Sequence, residues 1–96
     1  MIRHICMFKF SEATRKENTE EFLMKAEVLK NIPQIKRFEA VSNKEGTPSG
    51  NFDVALIFDF DSVADLESYQ VKPIHVEFGK FVATIRESRA CIDYEF

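Results

Sequence analysis

The clearest pattern in the chain is an alternation of side chains near its start, which predicts a β-strand over Ile2–Phe10. A second alternating segment, residues 52–60, predicts the most hydrophobic strand, because every second residue in it is large and apolar. Weaker patterns over residues 35–42 and 88–95 predict two further strands. Residues 35–42 are the more polar, so we expect that strand at an edge of the sheet.

Apolar residues at helical spacing predict three helices. The first covers residues 11–31 and ends before Pro33. Ser62 followed by Asp65 has the spacing of a capping box, which predicts a short helix that ends near Tyr69. The third begins at Pro73, a residue favoured in the first turn of a helix, and ends near residue 86.

The order of these elements is strand, helix, strand, strand, helix, helix, strand. This βαββααβ order predicts an α+β, ferredoxin-like protomer with a four-stranded antiparallel sheet and helices on one face. The 96 residues are enough for a single domain with one modest core. We expect the helices to cover the face of the first and third strands that is apolar throughout, because that face could not tolerate water.

The other face of the sheet has an apolar centre inside a charged frame, which predicts a symmetric partner. Its centre is formed by Ile5, Met7, Ala55 and Ile57. A face left in water would not need that centre, whereas the sheet of a second protomer would bury it. We therefore predict a homodimer packed sheet against sheet, with Arg89, Cys91 and Asp93 also on this open face.

The two cysteines are predicted to be packing residues without a disulfide. Cys6 is expected on the helix-covered face and Cys91 on the open face, and side chains on opposite faces cannot be bridged. Neither cysteine has a basic neighbour placed to stabilise a thiolate. The first residues lack a secretory cleavage pattern, so we expect the cytoplasm, where both thiols would stay reduced.

Charge and motifs narrow the function. The net charge is −3 without a basic cluster, which argues against a nucleic-acid partner, and no apolar run approaches the roughly 20 residues that a membrane span needs. Phosphate-binding glycine loops, nucleophile elbows and redox cysteine pairs are absent, and we predict no cofactor. Four aspartates are interpreted as a solvated rim rather than as paired catalytic carboxylates: Asp53, Asp59, Asp61 and Asp65.

The segment YQVKPIH, residues 69–75, gathers most of the possible chemistry. His75 titrates near neutrality and could be a general base, or it could only pack and form hydrogen bonds. Tyr69 could orient a carbonyl or a carboxylate, or it could only pack on the core. His4 is expected among core residues as a semi-buried histidine. Two histidines without a third ligand at a standard spacing do not predict a zinc site.

The whole chain resembles the stress-responsive dimeric α/β-barrel (Dabb) family. The resemblance lies in five segments: IRHI (2–5), FKF (8–10), IPQI (32–35), YQVKPIH (69–75) and DY (93–94). The family implies a ferredoxin-like protomer spanning residues 1–96 and a dimer whose two sheets form a barrel.

The resemblance also implies roles for individual residues. In one enzyme of the family, olivetolic acid cyclase, a histidine base beside a tyrosine closes a linear polyketide by aldol condensation. Those roles would fall on His75 and Tyr69, with His4 lining the pocket, whereas Val54 and Lys72 stand where the cyclase has two further histidines.

Two alternatives concern bound groups. Some plant relatives hold magnesium through backbone carbonyls, which here would belong to Leu29, Ile32 and Ile35. In the wider dimeric α+β barrel group, His75 could be an axial haem ligand.

The preferred hypothesis is a protein that binds a small apolar or aromatic molecule between its sheet and helices. The predicted pocket residues are His4, Cys6, Val54, Leu56, Tyr69, His75 and Phe78. One alternative is an aldol-type cyclase or isomerase of a polyketide-like substrate, with His75 as base. Another is a structural stress-response protein without catalysis, so the sequence leaves open whether the protein is an enzyme.

Overall fold

The computed structural model describes all 96 residues and contains four strands and three α-helices. In chain order these are β1 (Ile2–Phe10), α1 (Arg15–Ala26), β2 (Arg37–Ser42), β3 (Val54–Phe60), α2 (Val63–Gln70), α3 (Pro73–Ile85) and β4 (Arg86–Glu95). None of the helices has the length and apolar character needed to cross a lipid bilayer.

The strands form one antiparallel sheet in the order β2-β3-β1-β4, with β2 at an edge. This confirms the predicted ferredoxin-like α+β fold and the predicted edge position of the second strand. The faces of β1 and β3 that were predicted to be covered are buried, and His4 of β1 is the one polar side chain on them. The largest fully buried side chains come from the sheet and the helices together: Phe10, Phe22, Leu29, Phe58, Phe60 and Tyr69.

The helix boundaries follow the local sequence closely. The predicted first helix is α-helical only in α1, because 3₁₀ turns at Glu12–Thr14 and Glu27–Asn31 replace its ends. At the start of α2 the Ser62 hydroxyl accepts a hydrogen bond of 3.1 Å from the backbone amide of Asp65. At the start of α3, Pro73 occupies the first turn, where its missing N–H costs nothing.

The predicted orientation of β4 was wrong. Cys91 is directly opposite Cys6 in the β1–β4 pairing, so it shares the helix-covered face, and Arg89 and Asp93 share that face with it. The reason is that the helices pack over the other three strands and leave the edge strand β4 largely uncovered, so its polar side chains on this side remain accessible to solvent. Its apolar Ala90 and Ile92 therefore extend the open face.

The prediction of two free cysteines was also wrong. Cys6 and Cys91 form a disulfide, and their Cα atoms are 4.2 Å apart. Such close pairs are a normal feature of directly opposed residues on antiparallel strands. Arg89 lies beside the bridge, with its Nη2 atom 2.9 Å from the Cys91 sulfur, so the expectation that no basic group is near also fails.

Two of the four aspartates are not part of a solvated rim. On the open face, Asp59 is buried and accepts two hydrogen bonds from Arg3, of 2.7 and 3.0 Å, which hold the pKa of its carboxyl below the usual value. Asp53 is buried between β1 and α1, where it accepts a 2.7 Å hydrogen bond from the Phe10 amide and pairs with Arg15 at 2.8 Å. Both carboxylates therefore stabilise the fold by closing ion pairs across elements.

Candidate functional site

A cavity of about 310 Å³ lies between the β1–β4 side of the sheet and the helices α2 and α3. Six of the seven predicted pocket residues line it: His4, Cys6, Leu56, Tyr69, His75 and Phe78. Much of the remaining wall comes from Phe58 and from the inner face of α3. The volume falls in the range typical of small-molecule sites, which begins at about 300 Å³.

Val54 was wrongly predicted to line this cavity. It pairs with Phe8 at the far end of β3, is 2% exposed and belongs to the closed core. The ring of Phe22 on α1 fills the space over that end of the sheet, with its centroid 5.5 Å from the ring of Phe8 and 5.3 Å from that of Phe78. The cavity begins only beyond this aromatic cluster.

His75 lies in the first turn of α3 and is held by a backbone carbonyl. Its Nδ1 atom is 2.9 Å from the carbonyl oxygen of Gln70. A carbonyl can only accept, so Nδ1 carries the hydrogen and Nε2 keeps its lone pair in the neutral ring. Burial lowers the pKa of His75, and the positive charge of Arg89 lowers it further, while the bond to Gln70 opposes both. The ring is therefore neutral near pH 7.

Tyr69 ends α2 and forms the aromatic wall next to His75. Its ring centroid is 4.5 Å from that of His75 and 5.0 Å from that of Phe58. The side chain is 1% exposed, and this burial raises the pKa of its phenol. No protein group forms a hydrogen bond with its hydroxyl, so a protonated phenol is available as a donor to a bound molecule.

His4 is paired with an acid that the sequence did not suggest. Its Nδ1 atom contacts the carboxylate of Asp93 on β4, and its Nε2 atom is 3.4 Å from the Cys6 sulfur. The ring is 6% exposed and is stacked on Phe58 at 5.7 Å. An aspartate at Nδ1 fixes the ring orientation and favours the hydrogen on that atom. His4 is thus a satisfied core histidine whose second nitrogen faces the cavity side.

Asp93, Arg86 and Arg89 are the residues that sequence reasoning missed. Arg86 and Arg89 line the cavity, and Asp93 supports His4 beside it. All three belong to β4, whose faces the sequence assigned in reverse. The two cysteines could have revealed the correct faces. If Cys6 is placed opposite Cys91, the antiparallel register puts His4 opposite Asp93. The same register puts Phe8 opposite Arg89.

Two of the three backbone carbonyls suggested as a magnesium site accept hydrogen bonds from the chain itself. The Leu29 carbonyl accepts a 3.1 Å hydrogen bond from the Ile32 amide, and the Ile32 carbonyl accepts one of the same length from the Ile35 amide. These bonds close two successive turns after α1. They engage one lone pair of each of these two oxygens.

Comparison with known proteins gives one family and many similar folds. The model of the Stress responsive A/B Barrel Domain (Dabb) family matches residues 2–96. No curated protein matches the sequence at a significant level.

Solved structures that resemble the chain cover nearly all of it. A dimeric protein of unknown function with a ferredoxin-like fold from Bacteroides fragilis is 33% identical, with a TM-score of 0.85 and coverage of 99% of this chain and 95% of that one. A Dabb family protein from Mesorhizobium loti is 25% identical, with a TM-score of 0.83 and the same coverages. A hydroxynitrile lyase from Passiflora edulis is 22% identical, with a TM-score of 0.80 and coverages of 97% and 90%, a likeness of fold alone.

Proposed function

Because the chain belongs to the stress-responsive A/B barrel domain (Dabb) family, as its sequence predicted, we propose that it is a homodimer that binds a small apolar or aromatic molecule. The binding site is the cavity between the sheet and α2–α3. The observation that carries this proposal is the composition of its wall. Aromatic and aliphatic side chains form most of the surface, and the Tyr69 hydroxyl and His75 Nε2 remain without a protein partner.

Gly79 supports the same proposal. It lies in the middle of α3 on the cavity wall, where glycine costs about 1 kcal/mol relative to alanine. Its backbone is in the ordinary helical region, and a Cβ atom built there would meet nothing within 4 Å. Neither backbone strain nor tight packing therefore requires glycine at this position. A ligand that occupies the space next to position 79 would account for the glycine.

The open face of the sheet supports the homodimer. Ile5, Met7, Ala55 and Ile57 are only half-buried in the protomer, and Ile92 is 59% exposed. Contiguous apolar surface of this kind is normally covered in solution. A second copy related by a twofold axis would bury the same patch on both protomers. The Bacteroides fragilis protein, at 33% identity, is described as dimeric.

Acid–base catalysis is the second candidate function, and the hydrogen bond from His75 to Gln70 favours it. That bond leaves Nε2 unprotonated and aimed away from the backbone, as a general base requires. In an aldol-type cyclisation or isomerisation, Nε2 would remove a proton from a carbon next to a carbonyl group. The Tyr69 phenol would donate a hydrogen bond to the carbonyl oxygen, on which negative charge develops.

Filling the cavity tests the binding proposal. We expect Gly79→Leu to weaken binding of aromatic probes such as 2-naphthamide at least tenfold, because its side chain would occupy the ligand's space. Gly79→Ala is the matched control: its single methyl group should weaken binding much less than leucine does and should raise the free energy of unfolding by about 1 kcal/mol. Chemical shifts of Tyr69 and His75 in NMR titrations report occupancy. If no probe perturbs these residues, the structural stress-protein alternative is favoured.

Substitution of His75 tests the second candidate function, acid–base catalysis. If a substrate is found, His75→Gln should abolish its turnover while changing its affinity less than tenfold, since glutamine keeps a polar shape without basicity. Turnover at the parent rate would show that His75 only packs and is not the base.

We propose the cytoplasm as the compartment of this protein. Reducing conditions there would open the Cys6–Cys91 bridge.

A further inference from the structure

We propose that the cavity selects ligands that carry a carboxylate, which Arg86 and Arg89 bind at its mouth. This inference rests on the proposed function, namely that the cavity holds a small molecule. It adds the chemical class of that molecule: an aromatic or aliphatic body with an anionic group at one end.

The backbone brings the two arginines to the same end of the cavity. Arg86 follows α3 directly and has an extended conformation, with φ −80° and ψ 142°, while its amide bonds the Val82 carbonyl. The chain turns there from helix into strand. Arg89 comes three residues later, opposite Phe8 on β1, and both side chains line the cavity.

These two arginines differ from the other three in the chain. Arg3, Arg15 and Arg37 each pair with a carboxylate at 2.6 to 2.8 Å. Arg86 and Arg89 have no carboxylate within 4.0 Å, and the only polar contact of the Arg89 guanidinium is with the disulfide sulfurs. The chain thus leaves unpaired the arginines that line the cavity and pairs all the others.

The remaining charges at the site leave the arginines free to act on a ligand. No acidic residue lines the cavity. Asp93 lies nearby on β4, but its carboxylate is engaged by His4. His75 faces the same space with a neutral ring held by Gln70. A guanidinium presents a planar set of donors that matches both oxygens of a carboxylate.

The opposite wall of the cavity indicates that the rest of the ligand is apolar. Leu56, Phe58, Tyr69 and Phe78 present apolar and aromatic surface to the cavity. A ligand with one apolar end and one carboxylate would satisfy both walls at once. A neutral apolar molecule would leave the arginines solvated at the mouth and gain nothing from them.

The test compares 2-naphthoate with 2-naphthamide, which share shape and differ in charge. For the parent protein, we expect 2-naphthoate to bind about tenfold more tightly, as hydrogen bonds between charged groups allow. The double variant Arg86→Gln/Arg89→Gln should lose this preference and leave the affinity for 2-naphthamide unchanged. Lys80→Gln is the matched control: it removes one positive charge from α3 at a side chain that does not line the cavity.

The outcomes separate the proposal of a carboxylate site from the proposal of cavity binding on which it rests. If both probes bind the parent protein equally, or if the double variant keeps the preference, the carboxylate site is overturned and cavity binding survives. If neither probe perturbs Tyr69 and His75, cavity binding fails, and the carboxylate site fails with it. The preference should also shrink as salt is raised, since both arginines are exposed. Thermal unfolding of the double variant at the parent midpoint confirms that its fold is intact.

Discussion

The two faces of the sheet use similar apolar residues for different purposes. On the helix-covered face, Leu56 and Phe58 are at most 3% exposed and pack against helices of the same chain. On the open face, Ile57 lies between them in sequence but is only half-buried, and Ile92 is 59% exposed. Neighbouring positions of one strand thus serve the stability of the protomer and, as we propose, the assembly of two protomers.

The faces also hold charge differently. The open face carries Asp59 in a bidentate pair with Arg3, whose guanidinium also lies over the ring of Phe96 at 4.4 Å. The covered side holds charge at two places. Asp53 pairs with Arg15 beneath α1, and at the β4 edge Asp93 pairs with His4 while Arg89 contacts the disulfide. Of these two places, only the β4 edge adjoins the cavity.

The largest effect is expected when a charge is placed on the covered face. Leu56→Glu should prevent folding, because an unpaired carboxylate among Cys6, Phe58 and the helices costs more than a small domain can tolerate. Circular dichroism recorded during heating should show the loss of the cooperative thermal transition. A folded variant would mean that this face is wetter than the structure shows.

The same change one residue later should separate assembly from folding. Ile57→Glu places its charge on the open face, so the protomer should fold while the dimer weakens by several kcal/mol. Sedimentation velocity would then detect monomers with a native circular dichroism spectrum. A variant that stays dimeric would rule out the sheet-to-sheet arrangement.

Truncation of Phe58 measures the packing of the covered face. Phe58→Ala should lower the free energy of unfolding by about 3–5 kcal/mol, because the ring contacts those of Phe38, Phe60 and Tyr69. Val71→Ala is a control at a 75% exposed position, where the change should stay within about 0.5 kcal/mol. Denaturant titration gives both values. A loss below about 1 kcal/mol for Phe58→Ala would contradict the assignment of the faces.

The disulfide joins β4 to β1 on the covered face and should contribute a smaller amount. Cys91→Ser should lower the free energy of unfolding by about 2–4 kcal/mol, because the bridge closes a long loop in the unfolded chain. Urea titration of the parent protein with and without a reductant should reproduce this difference. If the reductant destabilises Cys91→Ser as much as the parent, its effect does not come from this bridge.

The smallest effect is a pH dependence that separates the two faces. Because the folded state lowers the pKa of His75, its contribution to stability is complete above its ordinary value of 6.5 and decreases as the pH falls below that value. Asp59 has its pKa lowered by Arg3, so its contribution is present above 3.8 and is lost only at lower pH. His75→Gln should therefore flatten the stability profile between pH 7.5 and 5.5 and leave the region below pH 4 unchanged. Equal profiles for variant and parent would contradict the shift at His75.

The sequence alone determined the elements and the fold class, because both depend on periodicity within one segment. Strict alternation marked Ile2–Phe10, Ser62 and Pro73 marked two helix starts, and the order of elements gave the ferredoxin-like plan. The same alternation identified the covered faces of β1 and β3. Tyr69 and His75 were also located by local signals, because Tyr69 falls near the end of the short helix after Ser62 and His75 falls in the first turn of the helix that Pro73 begins.

Only the tertiary structure decided the faces of β4, and with them half of the site. Along this edge strand Ala90, Ile92 and Tyr94 are the more apolar set of alternating residues, so composition favoured placing them under the helices, which was the wrong face. The register of hydrogen bonds with β1 fixed the orientation instead, placing Cys91 against Cys6, Asp93 beside His4 and Arg89 at the cavity. Register is a relation between segments distant in the chain, and a shift of one residue reverses every side chain. Periodicity within a single strand carries no information about that relation.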